Sequence, residues 1–214
     1  LAEENPGLWP AISGVETAIP AARRIDGVAE VTFASVLSPL RGRKQTRLAY
    51  KDEVNVFRRT LLYAGLPNSA RWYDVAGPGE KVGARGLIYL RRRDDVRTGA
   101  FRKFLTDELV PALVKAGALR ELRTQVFMPW IERLWDTPNV AHDNPTDQRL
   151  HASLMLGFAD ADALRAFFGG SEVAITVTSS SALLQASAAR TSGNVGVTAP
   201  LAVVIDGTGP LVTA

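Results

Sequence analysis

The sequence lacks cysteine altogether, and it has only two histidines and two methionines among 214 residues. Without cysteine the chain forms no disulfide, no thiolate metal site and no cysteine nucleophile. No apolar run approaches the roughly 18 residues of a transmembrane helix. The first ten residues, LAEENPGLWP, lack the basic leader and apolar stretch of a signal peptide. We therefore expect a soluble cytoplasmic protein without membrane contact.

Charge of one sign is also not concentrated anywhere along the chain. The 25 basic and 22 acidic residues give a formal net charge of +3. The tightest basic cluster, at 91–93, is followed at once by Asp94 and Asp95. A protein that follows a phosphate backbone usually has a clustered basic face, so we expect no nucleic-acid partner. The length suits one large domain or two small ones.

The second half of the chain alternates between strand-like and helix-like patterns. Four segments are predicted as strands: 85–93, 122–129, 150–158 and 195–206. Two segments with helical apolar spacing, 99–117 and 160–168, are predicted as helices, with Gly117 as a stop and Asp160 as a cap. The order β-α-β-β-α-β is that of the ferredoxin-like split βαβ unit, which belongs to the α+β class.

The first half repeats part of this pattern. Residues 13–20 match 122–129, 28–35 match 151–158, and 55–65 stand where a last strand belongs. The first unit has no opening strand, so either the chain extends upstream, which we expect, or a strand is borrowed from elsewhere. We predict tandem ferredoxin-like split βαβ units that form a pseudo-dimeric α+β barrel. The predicted boundaries are 1–65 for the N-terminally incomplete first unit, 66–84 for a linker and 85–214 for the second unit.

The two units differ most between their central strands. Pro20 and Val28 are 8 positions apart, whereas Pro129 and His151 are 22 apart, so the second unit has an inserted loop at 130–149. Surface loops lengthen at little thermodynamic cost and often carry function.

The inserted loop has features of a lid. It contains Trp130, Trp135 and His142, and two prolines, Pro138 and Pro145, stiffen it. We expect it to fold over the mouth of a cavity with a tryptophan facing inward. The alternative is that the tryptophans anchor the loop onto the core.

Strand alternation predicts two different faces for the sheet. One face is apolar and suited to packing on helices, and the second face is mixed. The second face is predicted to group Glu16, Glu30, Arg123, Gln125, His151 and Met155. This mixture favours a half-polar cavity between two sheets. The alternative is a structural face with salt links such as Glu16 to Arg123.

Three stretches of the second unit resemble the EthD family of the dimeric α+β barrel. They are DELVPALVKAGALRELRTQVFMP, AHDNP and FADADALRAFFGGSEV, within a resemblance that covers about 85–205 and the first unit more loosely. The resemblance implies a small-molecule role, with decarboxylase-like or cyclase-like members beside degradation or aromatic polyketide pathways. Such proteins are typically single units that dimerise, so two units in one chain would be a fused pseudo-dimer. Fold alone does not select the chemistry.

The histidines are the first candidates for proton transfer, because imidazole titrates near neutrality. His142 with Asp143 forms either an acid/base pair or a turn that caps before Pro145. His151 lies either in the cavity or as a half-buried histidine satisfied by Glu30, Ser153 or a backbone carbonyl.

These observations lead to two hypotheses. The first is a cofactor-free acid/base enzyme that decarboxylates, cyclises or isomerises an aromatic or polyketide-like molecule. The second is a non-catalytic carrier of a hydrophobic metabolite. Candidate catalytic residues are His151, His142, Asp143 and Glu30; candidate substrate-binding residues are Trp130, Trp135, Gln125, Arg123, Glu16 and Met155. No motif indicates a metal or haem, so we expect neither. The sequence is compatible with a homodimer.

Overall fold

The fold is taken from a computed structural model, which describes residues 28, 30, 43–92, 96–169, 184–185 and 202–204. The helices are α1 (Arg43–Val56), α2 (Thr98–Phe104), α3 (Val110–Lys115) and α4 (Ala161–Gly169). The strands are β1 (Ala70–Tyr73), β2 (Ala84–Arg92), β3 (Glu121–Val126), β4 (Ala152–Phe158), β5 (Leu184–Gln185) and β6 (Ala202–Val204). The inserted loop contains two 3₁₀ turns, Glu132–Leu134 and Thr146–Gln148. Within these ranges no helix has the length and apolarity to cross a bilayer.

The main strands form an open antiparallel sheet in the order β1-β3-β4-β2. The other edge of β2 pairs antiparallel with β5 near its end and with β6 near its start. Helices and an antiparallel sheet together confirm the predicted α+β class.

One face of the sheet packs on the helices and forms the core. The buried strand residues are Ala84, Ile88, Leu90, Leu122, Ala152, Leu154, Leu156 and Phe158. Facing them are the buried helical residues Phe101, Phe104, Leu105, Leu109, Leu113, Leu164 and Phe168. Burying each leucine, isoleucine or phenylalanine side chain stabilises the fold by about 1.5–3 kcal/mol. The apolar faces predicted for β3 and β4 are confirmed.

The predicted helix at 99–117 is interrupted by one wide turn. A π-helical turn, Leu105–Leu109, joins α2 to α3. Pro111 has no N–H, so the α-helical bond to the carbonyl of Asp107 cannot form there. Gly117 follows α3 with φ +73°, a left-handed conformation that glycine adopts without a Cβ penalty, and it ends the helix as predicted.

Two sequence predictions differ from the structure. The segment predicted as a linker contributes β1, which pairs with β3 at the edge of the sheet. The strand predicted at 55–65 is wrong: α1 continues to Val56, and the rest makes a single parallel bridge between Arg59 and Ala141. Here the segment pairs with the inserted loop through backbone hydrogen bonds instead of joining the sheet, and Val56, Phe57 and Leu62 are exposed.

The proposed repeat lies almost entirely outside the described residues. Nothing described covers 13–20, and of 28–35 only Val28 and Glu30 are described. The predicted last strand at 195–206 is described at Ala202–Val204, where β6 pairs with β2. The division of the chain into two units therefore stays a prediction.

Candidate functional site

The inserted loop docks on α1 and on the segment that follows it. The backbone N–H of Ala141 donates to the carbonyl of Arg58 at 3.0 Å, and the N–H of Thr60 donates to the carbonyl of Ala141 at 3.1 Å. These two bonds make the bridge between the loop and 57–65. They place the side chains of the loop opposite α1.

His142 lies at the centre of this contact, with only 8% of its surface exposed. Its Nδ1 is 2.7 Å from the carbonyl oxygen of Thr60, and its Nε2 accepts the backbone N–H of Thr137 at 3.0 Å. A carbonyl only accepts, so the network assigns the proton to Nδ1. Both ring nitrogens thus hold the loop in place.

Glu53 on α1 is a buried carboxylate that receives the other side of the loop. The indole Nε1 of Trp135 donates to its Oε1 at 2.8 Å, and the hydroxyl of Thr137 donates to its Oε2. The ring of Trp135 also packs edge-on against Tyr50, with centroids 5.0 Å apart. Trp135 therefore anchors the loop to α1, which was the alternative to a ligand-facing tryptophan.

The remaining loop candidates also have protein partners. Asp143 forms an exposed ion pair with Arg59 at 2.8 Å. The guanidinium of Arg149 lies 5.2 Å from the ring centroid of Trp130. Asn144 donates to the hydroxyl of Tyr63 at 2.7 Å. Burial raises the pKa of Tyr63, and the bonds from Leu150 and Asn144 partly offset it.

His151 lies between the end of β2 and helix α2. Its Nδ1 accepts the backbone N–H of Arg92 at 3.1 Å, and its ring is edge-on to Phe101 of α2 at 6.2 Å. The ring of His151 thus contacts Phe101 of α2 and the backbone at the end of β2. The backbone of His151 continues the pairing of β4, because the N–H of Phe127 donates to the carbonyl of His151 at 2.9 Å.

The second face of the sheet contains four of the predicted residues: Glu30, Arg123, Gln125 and Met155. Register places Leu87, Met155, Arg123 and Trp72 in one row across β2, β4, β3 and β1. Nη1 of Arg123 lies 3.3 Å from a carboxylate oxygen of Glu30, and Nη2 donates to the sulfur of Met155. Gln125 lies in the adjacent row, opposite Ser153. Glu16 is outside the described residues.

Glu121 joins two arginines on the same face. Its carboxylate lies 2.6 Å from Nε of Arg85 and 2.7 Å from Nε of Arg123. Arg85 and Glu121 both face Gly157, whose missing side chain lets them meet across β4. A Cβ there would lie 2.5 Å from the Cβ of Glu121.

Sequence reasoning missed Glu121, Tyr89 and Trp72. Starting β3 at Leu122 excluded Glu121, although it alternates with Arg123. Tyr89 lies in the row of Ser153, and burial, with smaller contributions from Tyr63 and Glu30, raises its pKa. Trp72 was assigned to a linker, yet its ring centroid is 5.9 Å from the guanidinium carbon of Arg123.

The described part of the chain has no group of three His, Asp or Glu residues suited to holding a metal ion. The second face instead presents the guanidinium of Arg123 between the ring of Trp72 and the thioether of Met155. The carboxylates of Glu30 and Glu121 lie beside this guanidinium. Comparison with protein-family models, with curated proteins and with solved structures finds no match for this chain. The EthD resemblance therefore stays a prediction.

Proposed function

We propose that this chain binds an amphipathic aromatic or polyketide-like small molecule against the second face of its sheet. The row of Leu87, Met155, Arg123 and Trp72 carries the proposal. It combines apolar and aromatic surface with one guanidinium. Small-molecule sites typically have this composition, mostly apolar with a few placed polar groups.

The predicted barrel is part of the same proposal. From β2 onward the described elements follow the order β2, α2–α3, β3, β4, α4, β5, β6. In the sheet β4 lies between β3 and β2, β5 and β6 pair with β2, and β1 is added beside β3. Without β1 and β5, the strand order is β3-β4-β2-β6. This order supports a ferredoxin-like split βαβ unit. A fused second unit, as the EthD resemblance implies, or a second copy in a homodimer, would then face Arg123 and close a binding space.

The binding experiment uses the two methionines as reporters. Protein with ¹³C-labelled methionine methyl groups is titrated with naphthalene derivatives that are neutral or charged. Binding on the second face is expected to shift the signal of Met155 and to leave Met128, which is outside this row, unchanged. If no derivative moves Met155, or if both signals move equally, the proposed site is wrong.

Cofactor-free acid/base turnover is the second candidate function, and the position of Glu30 favours it. A carboxylate beside a guanidinium can take a proton from carbon while the guanidinium stabilises the enolate. In an exchange reaction the C–H pair becomes the enolate, the proton moves to Glu30, and a solvent deuteron returns to the carbon.

This chemistry is tested with 2-tetralone, an aromatic ketone with an acidic C–H, in deuterated buffer. NMR is expected to show exchange faster than in buffer alone, and Glu30→Gln is expected to abolish the acceleration. Glu80→Gln, at an exposed carboxylate that pairs with Arg120, is the matched control. No acceleration by the native protein removes the catalytic candidate and leaves binding intact.

A further inference from the structure

We propose that the ligand of the second face is an aromatic anion, whose carboxylate or phenolate replaces Glu30 on Arg123 while its ring packs beside Trp72. This inference rests on the proposed binding function and names the ligand class for the same surface. It is carried by the charges, the distances and the exposure of five residues.

Among the residues that the structure describes, the charges of this cluster balance only while Glu30 is present. Arg85 and Arg123 contribute two positive charges, and Glu121 is held between them at 2.6 and 2.7 Å. The second negative charge is that of Glu30. When Glu30 moves away, the four-residue cluster has one uncompensated positive charge on a half-buried surface, which favours an anion.

Glu30 is the weakly held member of the cluster. Its carboxylate is 3.3 Å from Nη1 of Arg123, longer than the roughly 2.7–2.9 Å of a strong charge-assisted bond. Its side chain is 38% exposed, against 17% for Glu121. Solvent screens this partly exposed pair, which lowers its net free energy of interaction. A ligand carboxylate that makes shorter bonds would therefore displace Glu30 at little cost.

The neighbours of Arg123 favour an aromatic ring on the anion. Register places Trp72 on one side of Arg123 and Met155 on the other. Trp72 is 59% exposed, so a large apolar surface is open to solvent next to the charge. A planar ring joined to a carboxylate would cover that surface while its charge meets the guanidinium.

The experiment compares three probes with the same ring: 1-naphthoate, uncharged 1-naphthalenemethanol and cationic 1-naphthylmethylammonium. Affinity is measured by calorimetry, and the methyl signal of Met155 reports the place. We expect naphthoate to bind about tenfold more tightly than the alcohol, and the cation to bind weakest. Arg123→Gln is expected to remove this preference, whereas Arg120→Gln, with the same change in net charge, is expected to keep it.

Glu30→Gln keeps the inference falsifiable should Arg123→Gln fail to fold. Removing the competing carboxylate is expected to tighten naphthoate about threefold and to leave the alcohol unchanged. Weaker naphthoate binding in Glu30→Gln would overturn the inference. Equal affinities for naphthoate and alcohol, with Met155 shifted by both, would overturn it and leave the proposed binding function standing. No shift of Met155 with any probe would overturn both.

Discussion

The molecule has two polar clusters that differ in how their groups are partnered. The loop cluster, formed by Glu53, Thr60, Trp135, Thr137 and His142, joins the inserted loop to α1 through buried bonds. The second-face cluster, formed by Glu30, Trp72, Arg85, Glu121 and Arg123, includes a half-exposed carboxylate at a long distance.

This difference shows that residue type alone does not locate a site. Histidine is the usual proton-transfer residue, yet both ring nitrogens of His142 are engaged in holding a loop. In the second-face cluster, by contrast, we propose that a ligand can replace the carboxylate of Glu30 on Arg123. The predictions below measure how much the loop cluster contributes to stability and whether the second-face cluster binds a ligand.

The largest expected effect comes from Glu53→Ala. The variant leaves the indole N–H of Trp135 and the hydroxyl of Thr137 without their acceptor in a buried place. We expect a loss of about 3 kcal/mol in the free energy of unfolding, measured with urea. Asp52→Ala, at the exposed neighbouring position of α1, is expected to cost less than about 0.5 kcal/mol. Equal losses in the two variants would show that the loop cluster contributes nothing specific.

The next effect comes from His142→Ala. Two buried hydrogen bonds disappear, so we expect a loss of about 2 kcal/mol in the free energy of unfolding and an unchanged affinity for naphthoate. Asp143→Ala removes an exposed ion pair and is expected to cost less than about 0.5 kcal/mol. If His142→Ala keeps its stability but loses ligand binding or turnover, the loop belongs to the functional site.

A smaller effect separates the two carboxylates of the second face. Glu121→Gln weakens two arginine contacts that are mostly shielded from solvent, and we expect a loss of about 1 kcal/mol. Glu30→Gln is expected to change the free energy of unfolding by less than about 0.5 kcal/mol, because this ion pair is more exposed. A larger loss for Glu30→Gln than for Glu121→Gln would contradict the exchangeable role of Glu30.

The smallest expected effect is the contribution of Tyr63 and Tyr89 to the pH dependence of stability, which appears only at alkaline pH. Burial raises the pKa of both phenols above the ordinary value of 10.0. Their contribution to stability is therefore complete below pH 10.0 and is lost as the pH rises through the folded-state pKa, because the unfolded phenols ionise first. Tyrosinate absorbance is expected to show two phenols that titrate late in the native protein and normally in denaturant. We expect the stability of Tyr89→Phe to fall less steeply above pH 10.0 than that of the native protein. An equally steep fall in both would contradict the raised pKa of Tyr89.

The sequence predicted the α+β class and the apolar faces, because hydrophobic periodicity depends on local spacing alone. It also grouped Arg123, Gln125 and Met155 on one face of adjacent strands. It missed β1, because an edge strand of four residues with an exposed tryptophan gives almost no periodic signal. It did not predict the contacts of His151 with the backbone of Arg92 and the ring of Phe101, because they depend on how α2 packs on the sheet. One partner of His142, the carbonyl of Thr60, lies 82 positions away, and no local pattern encodes such a contact.

The measurement that tests the comparison most directly is the indole N–H spectrum of ¹⁵N-labelled protein during titration with 1-naphthoate. The chain has four tryptophans, and the variants Trp72→Phe and Trp135→Phe identify the signals of these two. We predict that the signal of Trp72 shifts in proportion to binding, while that of Trp135, bonded to Glu53, stays in place and exchanges slowly with water. A shift of Trp135 with Trp72 unchanged would contradict the account and place the ligand at the inserted loop.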